Sequence, residues 1–151
     1  MIIHNKYITF ILSRRLLHVL LSILLLIIGG LIYIMYRQDS LLMFNCFDEL
    51  GIKETIMHIR SVGTEYSIFD WVKYSLPDGL WLFSYMFLID TIWNNEKFFL
   101  YYFFLWILPF IAILSEVLQI FGIVPGFFDT IDLLCYIGAI LVFLILKFII
   151  K

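Results

Sequence analysis

Residues 16–36 read LLHVLLSILLLIIGGLIYIMY. The run contains no Asp, Glu, Lys or Arg, and ~20 residues of helix cover a hydrocarbon core of about 30 Å. Gly29-Gly30 is no obstacle, because helices in lipid tolerate glycine where neighbouring helices cover the backbone. Ser13-Arg14-Arg15 stands ahead of the run. A basic pair before an apolar stretch is also how an export signal begins. This stretch exceeds the roughly 7–15 residues of a signal core, and no small-x-small cleavage site follows it. It reads as an uncleaved anchor, with residues 1–13 as an interfacial helix or an extension of the anchor.

The rest of the chain repeats the pattern. Apolar runs follow at 80–93, 98–121 and 132–150, the last ending in Lys151. The polar turn Asn94-Asn95-Glu96-Lys97 separates the second and third runs, and a stretch with Gly122, Pro125 and Gly126 separates the third and fourth. Leu76-Pro77-Asp78-Gly79 breaks the chain and marks a turn or a helix start before the second run. That run is short, so it starts earlier or is tilted by its neighbours. Of the 151 residues, 64% are hydrophobic and 15% charged, against roughly 45–50% and about 25% in a soluble domain. Mean hydropathy is +1.04. A soluble chain of this length has too much surface for its volume to hide so much apolar material. The 16 Phe suit lipid-facing surfaces and interfacial belts. The expected fold is therefore an all-α membrane protein: a single domain over 1–151, a bundle of about four transmembrane helices. There is no internal repeat.

Residues 37–79 form the one extended polar segment, with Arg37, Asp39, Asp48, Glu49, Lys53, Glu54, Arg60, Glu65, Asp70 and Lys73. One or two small helices are expected there, over Gly51–Ile59 and Ser67–Ser75, lying on the membrane or capping the bundle. Lys6, Arg14, Arg15, Lys97, Lys147 and Lys151 fall on the opposite side, against the single acid Glu96. Basic residues crowd the cytoplasmic ends of spans. That rule puts both termini in the cytoplasm and the 37–79 loop outside a plasma membrane. Cys46 and Cys135 lie at different depths and read as unpaired. No basic stripe is present, so nucleic acid is not an expected partner.

The polar residues within the spans narrow the function. Asp78 opens the second run, Glu116 and Gln119 lie near the end of the third, and Asp129 and Asp132 open the fourth. Both pairs have a three-residue spacing, which puts each on one helix face. Short loops make the last three spans neighbours, so the five groups converge on one outward-facing pocket. Glu116 is the most telling. It sits in the apolar stretch 111–121, and an acid at a helix centre costs roughly 2.5–3.5 kcal/mol on insertion. The bland alternative is a protonated carboxyl bonded to Gln119 or to a neighbouring helix. For Asp78, and for one of Asp129 and Asp132, the alternative is a helix N-cap. Asp90 is expected to snorkel toward water or pair with Lys97. His18 reads as a packing hydrogen-bond donor rather than a metal ligand.

Enzymatic readings lack their parts. Chemistry on phosphates needs cations to hold the anion, and residues 98–146 contain no Lys, Arg or His. His4, His18 and His58 are too far apart for a helical zinc motif. Intramembrane aspartyl chemistry needs two facing acids, which are present without a supporting signature. No catalytic residue, metal or cofactor is therefore expected. A metal-dependent membrane enzyme stays as an alternative, with carboxylates holding Mg²⁺.

Ser115-Glu116-Val117-Leu118-Gln119-Ile120-Phe121, then Pro125-Gly126, Asp129, Asp132 and Gly138, resembles the VanZ-like family. In that family Glu-x-x-Gln ends a helix, and an Asp opens the last one before a small-residue stretch. Pro77-Asp78-Gly79-Leu80-Trp81-Leu82-Phe83-Ser84-Tyr85 stands where the family has the polar start of an aromatic-rich helix. The resemblance runs over residues 76–145. The chain departs from it in having no Arg in the turn before the last helix, Tyr136 in place of an Asn, and Asp78 and Trp81 where a basic residue or His is common. The resemblance implies a bacterial plasma-membrane protein of the cell envelope, in a family some of whose members are linked to antibiotic resistance of the teicoplanin type. It brings no catalytic residues. The expected function is binding of a polar or cationic group of a lipid or antibiotic in the acidic outer pocket. The expected partners are membrane lipids, with a membrane-protein partner or a homo-oligomer if the chain is instead a small accessory subunit.

Overall fold

The computed structural model describes residues 2–38, 42–64, 68–93 and 98–150, with side chains from Arg14 onward except at 42, 62, 64 and 150. Among the described residues every regular element is helical: α1 (Ile2–Tyr36), α2 (Leu42–Glu49), α3 (Lys53–Thr64), α4 (Asp70–Tyr74), α5 (Leu76–Trp93), α6 (Phe99–Ile120) and α7 (Thr130–Ile150). Three of these are long and apolar enough to cross a membrane, over Arg14–Tyr36, Phe99–Ile120 and Thr130–Ile149. The chain has the make-up of a membrane protein, with α5 as the helix that does not meet the same apolar standard.

α5 is nevertheless the centre of the bundle. The Ser84 hydroxyl donates to the Ser22 carbonyl at 2.6 Å, and Trp81 Nε1 donates to the Leu26 carbonyl at 3.2 Å. Partners on α5 fall in number as those on α1 rise, so the two helices are antiparallel. The Tyr85 hydroxyl donates to the Phe104 carbonyl and the Tyr101 hydroxyl to Asp90, which makes α6 antiparallel to α5 as well. Gly79 faces Cys135 at one end and Asp90 meets Lys147 at the other, so α7 runs parallel to α5. Met86, Phe87, Tyr101, Leu105 and Phe143 form the buried core where α5, α6 and α7 meet. The His18 ring lies 5.0 Å from that of Phe87, a packing role on α1.

The outward faces are apolar almost throughout. Leu17, Leu20, Leu24 and Ile27 on α1, Phe110 on α6 and Phe148 on α7 are all more than half exposed. In water such continuous faces would drive aggregation; against acyl chains they are at home.

Several boundaries differ from the sequence expectation, each for a physical reason. α1 is continuous from Ile2, so the N-terminal residues extend the anchor. α2 was not anticipated, and it ends in a Schellman turn. Gly51 takes φ +69°, its N–H reaches the Asp48 carbonyl, and the Ile52 N–H reaches that of Phe47. α3 covers the end of α1. Arg60 Nη1 donates to the Ile34 and Arg37 carbonyls at 2.6 and 2.7 Å, and the Tyr36 hydroxyl donates to the Gly63 carbonyl at 2.9 Å. These donors satisfy carbonyls that a helix end leaves free. Pro77-Asp78-Gly79, expected as a turn or a helix start, is a helix start and lies inside the first turn of α5. Proline is tolerated there because first-turn N–H groups have no partner within their own helix. α6 closes with a second Schellman turn at Gly122, where φ is +66° and the Gly122 and Ile123 N–H groups reach the Gln119 and Leu118 carbonyls.

Candidate functional site

The antiparallel–parallel arrangement brings the start of α5, the end of α6 and the start of α7 to one end of the bundle, together with the end of α1. Glu116, on the last turns of α6, is 4% exposed. Its Oε2 accepts a long 3.4 Å hydrogen bond from the Asp129 backbone N–H. Asp129 is the N-cap of α7, its Oδ1 accepting from the Ile131 N–H at 2.8 Å. Capping explains Asp129 in full. Asp132, one turn on, is not a cap, and its Oδ1 is buried without a hydrogen-bond partner.

Asp78 completes the group from α5. It is close enough to Asp132 and Glu116 for each charge to act on it. Among the described residues Asp78 is seen in no capping bond; it forms an ion pair with Arg37, at 3.6 Å. This corrects the expectation of a pocket without cations. The cation comes from the end of α1 rather than from residues 98–146. Arg37 is held by the Tyr74 carbonyl at 3.0 Å and by the faces of the Tyr33 and Tyr74 rings, with centroids 5.2 and 5.7 Å away. Its Nε is buried without a partner.

Tyr136 also belongs here. It follows Asp132 by one helical turn and lies in the field of Asp78, Glu116, Asp132 and Arg37. Gln119 is turned toward the α6–α7 turn, where a Cβ on Gly126 would meet its Nε2 at 2.9 Å. Gly126 has φ +135°, so the turn is built around the Gln119 side chain, whose Oε1 is buried and unpartnered. Four carboxyl groups thus meet at one end of the bundle, where Arg37 pairs with Asp78 and Arg60 is bonded to the Arg37 carbonyl. Among the described residues, no three His, Cys, Asp or Glu side chains are grouped so as to hold a metal ion. Cys46 and Cys135 are both free.

A second polar group sits at the opposite end. Asp90 accepts from Lys147 and from the Tyr101 hydroxyl, and Lys147 also reaches that hydroxyl. The expected partner Lys97 lies outside the described residues; the cation that Asp90 meets is Lys147 of α7. The ammonium stands 4.7 Å from the centroid of Tyr101 and 5.6 Å from that of Phe143, favourable cation–π positions. Only 21% of the Asp90 side chain and 23% of the Lys147 side chain are exposed.

α1, α5 and α7 also line an open apolar groove of about 390 Å³, whose lining includes Leu25, Gly79, Phe83, Cys135, Gly138 and Val142. Comparison of the chain with protein-family models, with curated proteins and with solved structures gives no match.

Proposed function

We propose that this is a VanZ-like protein of the bacterial plasma membrane, with four crossings and both termini cytoplasmic, that binds the cationic end of a lipid or lipid-like antibiotic at the acidic end of its bundle. Membership rests on the Glu116–Gln119 and Asp129–Asp132 motif. The fourth crossing, α5, is supported by its place at the bundle centre. Its 18 residues reach ~27 Å at helical rise. The orientation is supported by the basic residues beside the inner ends of the spans.

One observation carries the binding reading. Asp78, Glu116 and Asp132 come from three different helices and lie within each other's field, and Asp78 pairs with Arg37. A cluster with surplus negative charge in a poorly solvated place is stabilised by a cation, which here would enter from the membrane surface. Ammonium groups on amphiphiles have the required charge and depth.

The test is the lipid retained by the protein after reconstitution in equal parts phosphatidylethanolamine and phosphatidylglycerol and extraction in mild detergent. The wild type is expected to be enriched in the amine lipid. Combined Glu116→Gln and Asp132→Asn should bring the retained ratio to that of the bulk, with insertion unchanged. An unchanged enrichment in the double variant would refute the proposal.

A further inference from the structure

The turn between α6 and α7 does not have the make-up of a loop in water. From Val117 to Phe128 the chain reads VLQIFGIVPGFF, with no charged residue. Phe121, Ile123 and Phe127, all outside the helices, are each more than two-thirds exposed, Phe127 by 96%. The exposed apolar surface continues on both sides, through Val117 and Ile120 on α6 and Ile131 and Leu134 on α7. The turn thus prolongs the lipid-facing sides of both helices past their ends. The α2–α3 turn at the same end of the bundle is also apolar, at Leu50 and Ile52, but Asp48, Glu49, Lys53 and Glu54 frame it. No such frame surrounds the α6–α7 turn, and large apolar side chains grouped in this way mark a contact surface.

The backbone sets how deep the turn can sit. Its first part is closed internally, the Phe121, Gly122 and Ile123 N–H groups reaching carbonyls of α6. Among the described residues, the N–H groups of Val124, Gly126, Phe127 and Phe128 have no hydrogen-bond partner. Hydrocarbon offers them no acceptor, and irregular backbone is not left bare at that depth. The side chains therefore avoid bulk water, and the backbone avoids the hydrocarbon core. The headgroup zone lies between the two and supplies polar acceptors beside the first methylenes. A protein partner would need a socket for each ring and an acceptor for each N–H; the zone provides both without a fixed geometry. α4 points to the same level. It packs against α5 and α7 and exposes Trp71, a side chain suited to that zone.

We infer that the α6–α7 turn is a lipid-binding tip, seated through Phe121, Ile123 and Phe127 in the headgroup zone of the leaflet at the Asp78 end of the bundle. The occupant of this surface is the leaflet itself. Glu116 stands four helical steps, ~6 Å, before the end of α6. A tip seated in this way fixes the depth of the carboxyl groups: Glu116 is held below headgroup level, and Asp129, at the start of α7, stands at it. The inference depends on α6 and α7 crossing a membrane and not on what the carboxyl cluster binds.

Spin labels on single cysteines test the depth. The full chain carries Cys46→Ser and Cys135→Ala, and receives one of Phe127→Cys, Ile123→Cys, Glu54→Cys or Leu141→Cys. Glu54 is exposed at the start of α3 and gives the water reference; Leu141, exposed near the middle of α7, gives the hydrocarbon reference. Each labelled protein is reconstituted in vesicles of equal parts phosphatidylethanolamine and phosphatidylglycerol. Power saturation measures collisions with oxygen, which concentrates in hydrocarbon, and with a water-soluble nickel chelate. The oxygen-to-nickel ratio at Phe127→Cys and Ile123→Cys should be at least about threefold above that at Glu54→Cys and remain below that at Leu141→Cys. A ratio at either position equal to that of Glu54→Cys would put the turn in water and overturn the inference. A ratio equal to that of Leu141→Cys would put it in the hydrocarbon core and overturn the headgroup-level seat. Few collisions with both probes would mean that protein covers the turn, which also overturns the lipid seat; dipolar broadening that fades on dilution with unlabelled protein would then identify the cover as a second copy.

Discussion

Replacing Lys147 by Met should destabilise the bundle far more than its position near the end of α7 implies. The substitution keeps the length and apolar character of the stem and removes the charge that Asp90 accepts from. Breaking a buried ion pair from one side costs about 3–5 kcal/mol, because the remaining charge stays buried. Two features lower the figure here. About a fifth of the Asp90 side chain is exposed, and the Tyr101 hydroxyl still donates to it. The expected loss is ~2 kcal/mol, about a 30-fold change in the folding equilibrium. Removing both charges, Asp90→Leu with Lys147→Met, should return the protein to within ~1 kcal/mol of the wild type, since no charge is left without a partner. Unfolding of detergent-solubilised protein by increasing SDS, followed by tryptophan fluorescence, measures all four corners of the cycle. If the double variant loses the sum of the two single losses, Asp90 and Lys147 are uncoupled and the reasoning is wrong.

The same unfolding assay checks three further expectations. Gly138→Ala should stabilise by about 0.5–1 kcal/mol, because alanine is the better helix former and its methyl has room. Gly29→Ala should destabilise by roughly 1–3 kcal/mol, because the Trp81 ring lies 2.7 Å from the new Cβ and is tied by its Nε1 to the Leu26 carbonyl. Asp129→Ala should lose ~1 kcal/mol of helix capping, and Asp129→Ser should recover most of it, since serine accepts the same Ile131 N–H. If Ser and Ala behave alike, the bond to the Ile131 N–H does not account for Asp129 and the capping reading is wrong.

The features readable from the sequence were those set by neighbours along the chain. Periodic apolar runs reveal α1, α6 and α7 because each must satisfy the membrane alone. Glu116 and Asp129 could be linked because only a short turn separates their helices, and Asp129 could be read as a cap because capping is local. What escaped depended on distant pairings. Arg37 and Asp78 come from helices at either end of the long polar loop, and nothing near either residue names the other. Asp90 and Lys147 lie on helices that neighbour each other only after α6 has returned between them in sequence. Lys97, the expected partner because it is nearer in the chain, lies outside the described residues. The start of α5 stayed open between turn and helix start for a local reason: Pro-Asp-Gly is turn chemistry in isolation and first-turn chemistry once α4 leads directly into it.

The least apolar of the four long helices is the most enclosed, and this follows from what each helix can face. α1, α6 and α7 can present their sides to lipid. α5 carries an acid near each end, so at the membrane depth proposed for it other helices must surround it. Each acid then finds a cation from a different neighbour, Asp78 from the end of α1 and Asp90 from the last turns of α7. Twelve residues of rigid helix, ~18 Å, separate the two acids. A helix fixed at both ends has little freedom to slide, so the Lys147–Asp90 pair at one end holds Asp78 at its height beside Arg37, Glu116 and Asp132 at the other. On this reasoning the Asp90–Lys147 pair is part of what shapes the site at the other end of the bundle, and Lys147→Met should weaken the proposed headgroup selectivity even where the protein remains folded.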